Sequence, residues 1–200
     1  RRQAPEDWCL ADAVSERMPP SPAPPASRGS ATDSTGACST LYECAIDIET
    51  DWQLYDDVFS QDLTATQVYM FCLLAAISNR FEDEICTVLT FPYINFWTVS
   101  ADGWSTPDVP GSTIDMLDEF QAEWGGISCS FLGNRPAGAT GRLAHFISGA
   151  DLGGGVAYVG VLSPNFNVYC YQFGVSANID GGVTGFPGPP TGAGSMNWDF

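Results

Sequence analysis

Imidazole chemistry is nearly absent from this chain: its 200 residues hold one histidine, His145, in the stretch RLAHFIS. A catalytic zinc takes about three protein ligands, often histidines, and one imidazole does not make such a site. His145 sits between Ala144 and Phe146, a strand setting that suits a structural imidazole, so it is assigned no catalytic role. Serine nucleophiles have no other histidine to activate them, and no G-x-S-x-G elbow occurs. Carboxylates are plentiful. Asp115, Asp118 and Glu119 lie close together, as do Glu82, Asp83 and Glu84. They read as solvated helix faces and helix ends. Calcium is the cation such oxygen clusters could hold, but no EF-hand loop signature is present.

The seven cysteines are Cys9, Cys38, Cys44, Cys72, Cys86, Cys129 and Cys170. They form no CxxC pair, which argues against a cysteine-zinc site. Scattered cysteines in an acidic, lysine-poor chain fit disulfides formed in an oxidising compartment, with an odd thiol left over. Seven basic against 24 acidic residues give a formal charge of −17. That balance excludes nucleic acid as a partner and disfavours anionic membrane surfaces. No apolar run is long enough to span a bilayer.

One further stretch bears on binding. GADLGGGVAYVGVL, residues 149–162, opens a strand-like run with Gly153, Gly154 and Gly155. It has no lysine and matches neither nucleotide-binding glycine fingerprint. Glycine weakens a strand interior, so its presence needs a reason. One reason is a bulge or tight turn that requires glycine backbone angles. The other is the close approach of a second backbone.

The elements that must position these residues follow from periodicity. Residues 1–40, with MPPSPAPPASRGSATDSTG at their centre, read as a Pro/Ser-rich N-terminal arm or linker. Cys9 and Cys38 flank that segment and could tether it. The domain proper is expected over 41–200. LYECAIDIETDW alternates as a strand, with Ile46 and Ile48 on one face and Asp47 and Glu49 on the other. DLTATQVYMFCLLAAISNRFEDEI predicts a helix, apolar nearly all round and therefore buried, with Thr64 and Gln67 as a capping box. CTVLTFPYINFWTV, residues 86–99, predicts a second strand with an edge or bulge at Pro92. TIDMLDEFQAEWG predicts a second helix carrying Ile114, Leu117, Phe120 and Trp124, stopped at Gly125. RLAHFIS and VAYVGVL predict two more strands, and the remainder from Ser163 reads as loop. The expected class is α/β (α+β): a twisted mixed sheet of about four strands with two major helices packed on it.

Taken in order, ECAIDIETDWQLY, LLAAISNRFEDEI, VLTFPYINFWT, IDMLDEFQAEW and LAHFISGADLGGGVAYVGVL resemble the upper, N-terminal half of the catalytic domain of reprolysin-like metzincin zinc metalloendopeptidases. The resemblance implies a metzincin-like upper subdomain incomplete at its C-terminus. It implies that the strand at Gly154–Val159 is the antiparallel edge of the sheet, to which an extended polypeptide substrate adds. The expected substrate-binding residues are Gly153, Gly154, Gly155, Val156, Ala157 and Tyr158. Zinc belongs to that family's HExxHxxGxxH helix, which this sequence lacks; Asn197-Trp198-Asp199-Phe200 stands where the helix is expected to begin. No catalytic or metal residue is therefore expected here. The reading is the N-terminal portion of a secreted, extracellular metalloendopeptidase, whose C-terminal part, or another chain, covers the sheet. The alternative is a non-catalytic extracellular structural or interaction protein that kept the sheet within a larger assembly.

Overall fold

The computed structural model describes residues 38–126, 134–158 and 171–179. The N-terminal arm up to residue 37, Cys9, Cys129, Cys170 and the segment after Ile179 lie outside the described residues.

Five strands and two long helices make up the described fold: β1 (Tyr42–Thr50), α1 (Leu63–Ile85), β2 (Thr87–Thr90), α2 (Thr113–Gly125), β3 (Leu143–Ile147), β4 (Gly155–Ala157) and β5 (Phe173–Ser176). They form one mixed sheet in the order β2-β1-β3-β5-β4. The β1–β2, β1–β3 and β3–β5 pairs are parallel, and β4 runs antiparallel to β5. The expected α+β class with an antiparallel edge holds. The expected four strands become five, because FGVS (Phe173–Ser176) is a fully buried central strand inside a region read as loop.

The crossover from β1 to β2 steps one way along the sheet, and that from β2 to β3 steps back past β1. Right-handed connections then put α1 and α2 on opposite faces. The two cores follow that division. Phe120 and Trp124 of α2 pack with Ala144, Phe146, Phe173 and Val175. Leu73, Leu74 and Ile77 of α1 pack with Cys44, Ile48 and Ile147. Phe120 anchors the first core through ring contacts at 4.8–5.9 Å to Trp104, Trp124, Phe146 and Phe173, an edge-to-face geometry aromatic rings favour.

Three local expectations change. The N-cap of α1 is Asp62, whose carboxylate accepts the Ala65 N–H at 3.0 Å; the Thr64/Gln67 box lies inside the helix. That helix is not buried all round: Val68 and Phe71 are more than half exposed, whereas Met70 and Leu73 are fully buried. The predicted strand over 86–99 is regular only to Thr90. Pro92 ends it, and the chain returns through a single bridge between Ile48 and Ile94. Cys38 is disulfide-bonded to Cys86, between α1 and β2. It ties the end of the arm to the sheet, while Cys44 and Cys72 remain free thiols.

Candidate functional site

A sheet has two edges, and here they differ. On β2, the parallel ladder to β1 turns the Leu89 N–H and C=O outward. The Ser78 hydroxyl of α1 takes both: it accepts from Leu89 N at 3.0 Å and donates to Leu89 O at 3.2 Å. That edge is blocked by its own helix, a standard defence against strand addition.

Among the described residues, none covers the β4 edge in that way. Antiparallel ladders alternate bonded and non-bonded pairs. Ala177 N donates to Gly154 O at 3.2 Å, so in the register Gly155↔Ser176, Val156↔Val175, Ala157↔Gly174 it is Val156 that faces β5. The N–H and C=O of Gly155 and Ala157 therefore point to the open edge. Val156 and Tyr158 are buried against the α2 core, Gly155 is partly exposed and Ala157 exposed.

The three glycines separate into two roles. Gly153 and Gly154 have φ of +102° and +121° and form the turn into β4. A Cβ on Gly153 would also stand 2.9 Å from the Gly111 backbone nitrogen. The second backbone that needs room at Gly153 is thus the protein's own loop before α2. Gly155 alone belongs to the strand. Of the six residues expected to bind substrate, Gly155, Val156 and Ala157 form β4, Gly153 and Gly154 shape its entry, and Tyr158 follows it.

That entry is held by side chains that sequence reasoning did not single out. The Asn178 carbonyl oxygen accepts from Gly153 N at 2.8 Å and Gly154 N at 3.1 Å, and its amide donates to Asp151. Asp108 accepts from Asp151 N at 2.5 Å. Thr113, the first residue of α2, donates its hydroxyl to Leu152 O at 2.8 Å. Asp51, buried just past β1, accepts from the Ser148 hydroxyl, from Gly149 N at 3.1 Å and from Leu54 N at 2.8 Å. Burial pushes Asp51 up to about 6 despite these donors, and the Asp102 charge adds to the rise. A signal for Asp51 existed in the sequence: an acidic residue directly after a strand end is a common cap for the following turn.

His145 lies on the α1 face of β3, with Nε2 2.9 Å from Ser176 Oγ. Burial lowers its pKa to about 4, so the imidazole is neutral at physiological pH. Gly174 beside it has no room for a Cβ, which would meet His145 Nδ1 at 2.8 Å. The expected solvated face of α2 is only partly so. Glu119 accepts from the N–H and hydroxyl of both Ser105 and Thr106 at 2.5–2.8 Å. Partial burial pulls its carboxyl upward, but these four donors outweigh it and hold the pKa below the usual range.

Among the described residues, no group of three or more His, Cys, Asp or Glu side chains is placed to hold a metal ion. No helix among the described residues is long and apolar enough to cross a membrane.

No known family profile and no curated protein matches the chain. Among solved structures, a chain from an entity described as "Structure of a chaperone-substrate complex" is similar at 10% identity, with a TM-score of 0.45. The match covers 68% of this chain and 21% of that one.

Proposed function

We propose that this chain is the polypeptide-binding, N-terminal portion of a secreted reprolysin-like metalloendopeptidase. One observation carries the reading: β4 is an antiparallel edge strand whose Gly155 and Ala157 main-chain groups face outward. An extended polypeptide adds to such an edge through main-chain hydrogen bonds. The one reversed strand at a sheet edge is what the resemblance leads one to expect at this position. The Cys38–Cys86 disulfide supports an oxidising, extracytoplasmic setting. Peptide-bond hydrolysis requires the zinc helix that the resemblance places beyond Phe200, and no hydrolytic step is assigned to the residues described.

The test is amide hydrogen exchange at Gly155 and Ala157 with and without a blocked, extended peptide library. Protection of both amides, with Val156 unchanged, is the expected result. Ala157→Pro removes an outward donor and leaves the bonds to β5 in place, so it should abolish the peptide-dependent protection still readable at Gly155 without unfolding the domain. Unchanged exchange at both amides across the library would overturn the strand-addition reading. Sequencing the locus beyond the Phe200 codon separates the protease from the non-catalytic alternative. An HExxH within about ten codons supports the protease, and an immediate stop rejects it.

A further inference from the structure

On the α2 face of β1, three strand positions from β4, lies a cavity of about 460 Å³. Its size is that of a small-ligand site. Tyr93, Trp97, Trp104 and Trp124 line it. Three carboxylates join them: Glu49 from β1, Asp102 from the loop before α2, and Glu123 from α2. Among the described residues that line the cavity, none is Lys, Arg or His.

Glu49 is the unusual member, since it is 2% exposed. Its donors are all neutral: Oε1 accepts from Asn95 Nδ2 at 2.7 Å and from Trp97 Nε1. A buried carboxylate is costly without a counter-charge, and neutral donors repay only part of that cost. Asp102 adds a like charge close by. Its own carboxylate is fixed by Trp52 N at 2.8 Å and Trp104 N at 3.1 Å, so it cannot swing away. The cation in this neighbourhood, Arg135, is already ion-paired with Asp47 at 3.2 Å and stacked 6.0 Å from the Trp124 ring centroid. Among the described residues, the cavity sets aromatic faces beside carboxylates that no lining cation offsets, the combination that recognises organic cations.

We infer that this cavity is a binding site for an organic cation, an alkylammonium or guanidinium group carried on an aliphatic stem. The aromatic rings take the stem and the spread charge, and Glu49 and Asp102 supply the anions. This inference does not rest on the edge-strand reading, because the two sites share no residue.

The groups facing Glu49 are Asp102 and Tyr93, with Asp47 two residues earlier on the same strand face, Glu123 across the cavity, and Arg135 held by Asp47. Burial first, and Asp102 second, push Glu49 up to about 7 against the donors. A cation that pairs with ionised Glu49 should therefore bind about tenfold more tightly at pH 8 than at pH 6.

The experiment titrates the intact 200-residue chain with n-butylammonium, tetramethylammonium, n-butylguanidinium and neutral n-butanol, reading indole NMR signals of the cavity tryptophans. Saturable shifts with at least one of the cations, and no matching shift with butanol, are expected. Glu49→Gln keeps an acceptor for Asn95 and Trp97 and should weaken cation binding by at least about tenfold. If that variant fails to fold, the wild-type pH series decides in its place. A blocked lysine-containing peptide, run beside the free amines, tells a side-chain ligand from a small-molecule one. Equal response to butanol, unchanged affinity in folded E49Q, affinity flat from pH 6 to pH 8, or no saturable shift with any cation would each overturn the inference.

Discussion

Replacing Glu49 with Gln should change how stability depends on pH, and the amount follows from the burial of one side chain. Glu49 has an ordinary carboxyl pKa of 4.5 when exposed and about 7 in the fold, raised mainly by desolvation. Between those values the folded state holds a proton that the unfolded state has released. Stability is therefore highest below about pH 4.5 for this group and is lost as pH rises through 7. A gap of that size corresponds to about 3 kcal/mol in total. Other buried groups titrate as well. Asp51 acts in the same direction, since burial raises it to about 6. His145 opposes them, since burial lowers it to about 4 and the unfolded imidazole takes up a proton as pH falls through 6.5. Wild-type stability alone thus mixes several curves, the buried Asp47, also raised by desolvation, among them. The difference between wild type and E49Q isolates one of them, because Gln does not titrate and still accepts from Asn95 and Trp97. Urea unfolding at pH 5, 6, 7 and 8 should show E49Q gaining on wild type by about 2–3 kcal/mol across that range. About half of the gain should fall above pH 6. Parallel stability curves for the two proteins would refute the idea that Glu49 is a desolvated, uncompensated carboxylate.

Two further outcomes test the framework that holds the edge strand. A Cβ on Gly149 would lie 2.6 Å from the Leu54 backbone nitrogen and Cα, where no side chain can move aside; Gly149→Ala should cost about 2–3 kcal/mol or more by urea denaturation, and a loss under about 0.5 kcal/mol would contradict the packing described. The Cys38–Cys86 bridge closes a loop of sequence separation 48, so Cys86→Ser should lower stability by up to about 4 kcal/mol on chain-entropy grounds, while an unchanged urea midpoint would mean the bridge does not constrain the unfolded chain.

The parts of this fold that were legible in the sequence are those where one period dominates. α2 was readable to its last residue because Leu117, Phe120 and Trp124 share a face and glycines follow. β1 was readable as a strand but not in its surroundings. Alternation put Asp47 and Glu49 opposite Ile46 and Ile48, the usual mark of a solvated face. Instead, both carboxylates are buried under α2 and the loops around it. A parallel sheet with a helix on each face covers both faces of its strands, and single-sequence alternation cannot tell a wet polar face from a satisfied buried one. β5 escaped because four residues with a central glycine, FGVS, carry too little pattern to stand out in a glycine-rich region. The α1 N-cap was misplaced by two residues because Asp62 and Thr64 are both competent capping residues, and only the entering chain direction chooses between them. For the candidate site, the glycines were visible but their division of labour was not. The positive φ of Gly153 and Gly154 goes with capping of both amides by Asn178, which is 25 and 24 residues away.

The contrast between the two sheet edges gives the binding proposal its physical content. An open strand edge is a liability, and this protein closes one of its edges with a single hydroxyl: Ser78 satisfies both outward groups of Leu89. The same economy was available at β4, where a polar side chain on a neighbouring loop could reach Gly155 or Ala157. Instead, the polar side chains near β4 are directed at the turn before it. Asn178, Asp108, Thr113 and Asp51 all bond main-chain groups or side chains between residues 148 and 154. That arrangement fixes where the strand begins and in which direction it runs, while no side chain among the described residues is directed at its outer main chain. A strand held rigid before its partner arrives loses little conformational entropy on pairing. If the edge were merely an unguarded end of the sheet, loosening its entry would affect stability alone. Under strand addition, Asn178→Ala should weaken peptide protection of the Gly155 and Ala157 amides by more than it lowers the global unfolding free energy, because it frees the turn that orients both.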